Sequence, residues 1–197
     1  MNTLFATVYN RFLGKVTDDM YLELTPDDTL RDLQNLLIDA LPGFEFPRKD
    51  LTNYTIDVAT IPETDVLPDD FILGVVWSDI IDENLSGANK VLVDRSSFNV
   101  ELTSEEINIL AILMKMGWVQ RQVTSIENTR MKYSGPDFKM TSQANHLSKL
   151  LALLTECRRD SLHMQRLYKR RKLDSATGEY KSNWSIFGGS NATGNKI

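Results

Sequence analysis

The chain has 197 residues, 42% of them hydrophobic and 25% charged, with a formal net charge of −5. That is the composition of a soluble globular protein long enough to bury one core. Its single cysteine, Cys157, excludes an intramolecular disulfide framework and fits a reducing compartment. No stretch approaches the roughly 18–20 apolar residues of a membrane-spanning helix, and the first residues lack the pattern of a secretion signal.

The charge is unevenly spread. Residues 1–106 hold 21 acidic against 7 basic side chains, whereas residues 158–172 hold seven basic ones and a single acid, Asp160. Such asymmetry points to an interaction surface at the basic end.

In chain order, residues 4–16 place Leu4, Val8, Phe12 and Leu13 on a helical repeat, with Gly14 as its stop. The next stretch, LTPDDTLRDLQNLLIDALPGF, carries its own punctuation. Thr25 is an N-cap, Pro26 occupies the first helical position, and Asp27 and Asp28 suit the positive end of the helix dipole. Leu30, Leu33, Leu36, Leu37, Ala40 and Leu41 form its apolar face, and Pro42-Gly43 ends it.

Residues 51–100 are expected to be a mixed or β insertion. NYTIDVAT and NKVLVDRSSFNVEL read as short strands, and DDFILGVVWSDII fits a strand or a helix. A capping box, Thr103 with Glu106, then opens a helix. Ile107, Leu110, Ala111, Met114 and Trp118 lie along its face, widened by Ile109, Ile112 and Leu113.

A loop at Ser134-Gly135-Pro136 leads to the last long helix, capped by Thr141 or Ser142. Leu147, Leu150, Leu151 and Leu154 are its expected buried stripe, with Leu162 and Leu167 further along. Continuous to Lys172, the helix would measure about 46 Å, so its basic end should project past the core. The tail beyond it is polar and glycine-rich, yet carries Trp184, Ile186 and Phe187. Alone such a segment stays disordered, and these three side chains suggest ordering on another chain.

Several chemical signatures fail. DENLSG, from Asp82, begins like a calcium loop, but the required glutamate at its twelfth position is Val93. GGSNATGNK lacks the spacing and flanking elements of a phosphate loop. His146 and His163 stand 17 residues apart, not at metal-ligand spacing. Cys157 faces the leucine stripe and reads as a buried thiol. The acid pairs Asp27-Asp28, Asp69-Asp70 and Asp82-Glu83 read as caps and surface, and the Asn191 sequon as a chance match. No catalytic residue, metal site or cofactor is expected. Three readings of the basic segment stand: a solvated helix end, a phosphate-binding surface, or a dock for an acidic protein surface.

The pieces YNRFLGKVTDDMYLELTPDD, ELTSEEINILAILMKMGWV and DFKMTSQANHLSKLLALL, in that order, resemble the head-to-tail adaptor, or neck connector, proteins of tailed bacteriophages. They cover about a third of the chain, and residues 53–99 depart from the family pattern. The resemblance implies a mainly α subunit in a helical bundle with one long C-terminal helix: an adaptor domain over residues 1–172 and an extended C-terminal arm over 173–197. It implies a ring, commonly of twelve copies, beneath the portal in the virion neck, made in the host bacterial cytoplasm. Such a ring extends the DNA channel and meets the portal and other neck or tail proteins, with no sequence-specific DNA contact. Portal contact would fall to Arg158, Arg159, Arg166, Lys169, Arg170, Arg171 and Lys172, and to Trp184, Ile186 and Phe187. The competing expectation is a nucleic-acid-binding regulatory protein that uses the same basic helix.

Overall fold

The computed structural model describes residues 2–16, 24–67, 70–76, 90–132, 141–173 and 180–182. Among them the fold is mainly α with small β elements. Four helices carry it: α1 (Phe5–Leu13), α2 (Pro26–Ala40), α3 (Ser104–Lys132) and α4 (Thr141–Arg170).

Local chemistry explains where α2 and α3 begin. Thr25 Oγ1 accepts a hydrogen bond from the Asp28 amide at 3.2 Å, and Pro26 opens the helix. At α3 the box closes in both directions. The Thr103 amide donates to Glu106 Oε2 at 2.7 Å, and the Glu106 amide donates to Thr103 Oγ1 at 3.3 Å. Leu30, Leu33, Leu36, Leu37 and Ala40 of α2 are buried, as are Ile107, Ile109, Leu110, Ala111, Leu113 and Met114 of α3. Ile112 and Trp118 are half-buried, and Leu41 falls in a 3-10 turn, Leu41–Gly43.

The first helix begins later than its periodicity suggests. Leu4 belongs to a short strand, β1 (Thr3–Leu4), and is half-buried, as is Leu13. The buried face is Phe5, Ala6, Val8, Tyr9 and Phe12. Phe5 meets Phe98 at a centroid distance of 4.6 Å and Tyr54 at 5.6 Å, and Tyr9 meets Phe71 at 5.9 Å. These rings join the β elements to the helical core.

Those elements are β2 (Tyr54–Thr55), β3 (Val58–Pro62), β4 (Phe71–Val76), β5 (Lys90–Asp94) and β6 (Ser97–Phe98). One antiparallel sheet has the order β1-β6-β2, with Thr3 and Tyr54 both opposite Phe98. The other has the order β3-β5-β4, with Val58 and Phe71 both opposite Asp94 and a register shift between Ile72 and Gly74. Both outer strands run antiparallel to β5, so they are parallel to each other and the connection after Pro62 must cross the sheet. Asp70 closes that connection. It accepts two hydrogen bonds from Arg95, each 2.7 Å, and one from the Leu67 amide.

The last helix departs from expectation in three ways. It packs on α3, and its basic end is held by residues 43–48 and Glu106 instead of projecting. Its leucine stripe is only partly covered: Leu147 is buried, Leu150 and Leu154 are half-buried, and Leu151 is 42% exposed. The deepest residues lie in the basic half: Tyr168 is 1% exposed, and Cys157, Ser161 and Gln165 are buried beside it. The physical reason is angular. These four recur at i, i+4, i+8 and i+11, one helix face, while the cations occupy the adjoining, outward arc. Finally, α4 ends at Arg170. Arg171 and Lys172, expected in the helix, lie in β7 (Arg171–Leu173), which pairs antiparallel with β8 (Tyr180–Ser182).

The expectations for Asp82–Gly87, Ser134–Pro136, Trp184, Ile186, Phe187, the GGSNATGNK run and the Asn191 sequon lie outside the described residues.

Candidate partner-binding surface

The segment between α2 and β2 grips the inner face of α4. Gln165 Nε2 donates to the Gly43 carbonyl at 3.1 Å, and the Glu45 amide donates to Gln165 Oε1 at 2.8 Å. Gln165 also donates to Ser161 Oγ at 3.1 Å. Gly43 packs closely at this closure: a Cβ there would meet Leu113 Cδ2 at 3.2 Å, so that leucine side chain would have to shift by a few tenths of an ångström. Arg48 donates to the Tyr168 carbonyl at 2.5 Å and stacks over the Tyr168 ring, 4.2 Å from its centroid.

Beneath this clasp lies a buried carboxylate. Glu106, 1% exposed, accepts from the Tyr168 hydroxyl and from Thr103, with the Lys49 ammonium at 3.6 Å. Lys49 also donates to the Glu101 carbonyl. Burial alone would raise the Glu106 carboxyl. The Thr103 amide, the two hydroxyls and Lys49 outweigh it and hold the group below its usual range. Burial, then the bond to Glu106, raises the Tyr168 phenol. The pair is therefore carboxylate and neutral phenol near neutral pH. Burial likewise raises the Cys157 thiol, which agrees with its reading as a packed side chain.

The outer face of the same turns is cationic. Arg158, Lys169, Arg166, Arg159 and Arg170 fall within an arc of about 120° at 100° per residue. All five are exposed. Lys169 covers the Phe46 ring, 3.9 Å from its centroid, and Arg159 stands 4.0 Å from Asp160. Arg158, Arg166 and Arg170 have no ion-pair partner among the described residues. Arg171, past the helix, is 3.6 Å from Glu105 and so is partly engaged by its own chain. The side chain of Lys172 is not described. Of the expected site residues, then, five share one solvent-facing row, and Arg171 is exposed but paired with Glu105 of its own chain.

As gripping residues, Phe46, Arg48, Lys49, Ser161, Gln165 and Tyr168 all escaped the sequence reading. The spacing Cys157, Ser161, Gln165, Tyr168 was the available signal. It was masked because three of the four are polar.

Among the described residues no group of three or more His, Cys, Asp or Glu side chains could hold a metal ion, and no helix is long and apolar enough to cross a membrane. His146 and His163 are both exposed on α4. No family model matches this chain, and neither does any curated protein or solved structure.

Proposed function

We propose that the chain is a structural head-to-tail adaptor subunit of a tailed bacteriophage, part of a ring beneath the portal that extends the DNA channel towards the tail. The observation that carries this reading is the two-sided α4. One side is fixed to the body by Tyr168 and Gln165, and the other presents a row of guanidinium groups to solvent. A helix anchored on one side and carrying an exposed cationic face on the other is suited to docking on another macromolecule. The resemblance of the three sequence pieces supports the same reading. In it, the extended arm beyond Leu173, with Trp184, Ile186 and Phe187, orders on the portal.

The test is capture of the purified chain by isolated portal rings, followed by two-dimensional class averages. Added density on the axial face of the portal is expected. Removal of residues 174–197 should abolish capture. No capture of the full chain by any portal overturns the adaptor reading.

The same row of arginines favours a second reading, a nucleic-acid-binding regulator. Four phosphate contacts would make log affinity fall with log salt at a slope of about −3.6. Absence of DNA binding at low salt removes this alternative.

A further inference from the structure

One outward arc of α4 mixes apolar with cationic side chains. Leu151, Arg158, Leu162, Arg166 and Lys169 follow at steps of seven, four, four and three, the spacing of a seam between packed helices. At 1.5 Å per residue the seam is about 27 Å long. Leu151 is 42% exposed, and Leu162 is half-buried. Phe46, also 42% exposed, adds a ring at the far end, where Lys169 stands over it. No acidic residue interrupts the arc: Glu156 and Asp160 fall at least about 80° away at 100° per residue. Thr155, the other residue in the arc between Leu151 and Lys169, turns its hydroxyl back on its own helix and donates to the Leu151 carbonyl at 2.9 Å.

The mixture decides what kind of molecule fits. A nucleic-acid backbone offers phosphate to the cations but little apolar surface, and would leave Leu151, Leu162 and Phe46 in water. A helix laid along α4 supplies both: an apolar ridge for those three side chains, and carboxylates that guanidinium groups pair with in bidentate fashion. Apolar contact then gives affinity, and opposite charge gives register and on-rate. The seat is already fixed, because Tyr168 and Gln165 fasten the inner side of the same turns to the body. Little of α4 has to be ordered when a partner arrives.

We infer that the outer arc of α4 receives an acidic amphipathic α-helix of a partner protein, about five turns long. Its apolar side chains lie against Leu151, Leu162 and Phe46, and its carboxylates against Arg158, Arg166 and Lys169. The inference rests on the adaptor reading, for which it names the chemistry that α4 meets, and it divides that reading from the nucleic-acid one.

The experiment is fluorescence anisotropy on the full chain with three labelled probes. One is a helical peptide of about five turns with leucines along one face and glutamates beside them. The second has the same composition with its leucines scattered round the helix, and the third is duplex DNA of similar length. The first should bind at least roughly tenfold more tightly than the second, and less tightly as salt rises. Leu151→Ser/Phe46→Ser should weaken that binding by at least about tenfold, and Arg158→Glu/Arg166→Glu should abolish it. All four altered side chains are exposed, so unchanged circular dichroism is expected of both variants. Equal binding of the two peptides overturns the inference, as does no binding of the first, tighter binding of DNA, or a double-serine variant that binds like the wild type. The adaptor reading fails separately. Portal rings that capture wild type and double-serine variant equally sink the helix inference and leave the adaptor standing. Binding of the first peptide as described, with no portal capture, retires the adaptor and leaves the seam to an acidic helix of some other protein.

Discussion

The Tyr168 hydroxyl donates to Glu106 Oε1 across 62 residues of sequence, and each side chain is 1% exposed. This bond links the last turn of α4 to the first turn of α3, at the carboxylate that also completes the α3 capping box. Stability of the long helix and of the α3 N-terminus are therefore coupled.

Tyr168→Phe should lower unfolding stability by about 1–3 kcal/mol, because it strips a donor from a buried carboxylate while leaving the ring in place. In urea the midpoint should fall with an unchanged slope. A midpoint equal to that of the wild type would show that the bond is absent in solution.

Tyr9→Phe supplies the contrast. The Tyr9 hydroxyl and Asp94 Oδ2 lie close together in the interior, but neither has a hydrogen-bond partner of normal geometry among the described residues. Burial, then the Asp94 charge, raises this phenol, so it stays neutral. Removing a hydroxyl that lacks a good partner should change stability by less than about 1 kcal/mol. The pair of tyrosine variants should separate clearly in one denaturation series.

The Asp70–Arg95 pair sets an acid limit. Two hydrogen bonds from Arg95 hold the Asp70 carboxyl down, to about 2 against an ordinary 3.8. A carboxyl depressed in the folded state contributes stability that is fully present above pH 3.8 and lost as pH falls through about 2. Glu106, also depressed, acts in the same direction. Urea midpoints should therefore drop across that window, and Asp70→Asn should flatten the drop. Carboxyl titration by NMR would identify Asp70 as the group responsible.

Two leucine substitutions, one in α2 as a core reference and one in α4, test the burial pattern of the long helix. Leu37→Ala, in the core, should destabilise by about 2–5 kcal/mol. Leu151→Ala should change stability by no more than about 0.5 kcal/mol, since that side chain already meets solvent. Equal losses would mean that α4 packs through its leucines after all.

The sequence showed α2 and α3 plainly, because caps and apolar periodicity agree there within a few residues of each other. The strands at 54–60 and 90–98 were legible from β-branched alternation. Their arrangement was not: β3 and β4 flank β5 in parallel, and pairing between distant strands leaves no local mark. The long helix was found, but its burial was misjudged. Counting leucines favoured its first half, whereas the second half is held by Ser161, Gln165 and Tyr168. A polar side chain is buried favourably when a partner waits for it, and here the partners are Gly43, Glu45 and Glu106, between 62 and 122 residues away. The basic row was visible in the sequence as charge. Which of its members face outward depended on that same hidden face.

The strand β7 begins at Arg171, directly after the helix ends and three residues beyond Tyr168. Tension applied through the C-terminal segment thus reaches the Tyr168 and Gln165 fastenings before any other turn of α4. The grip of residues 43–49 ties that last turn to the body, so that a pull on the end of the helix is shared with the core and does not begin by unwinding the helix.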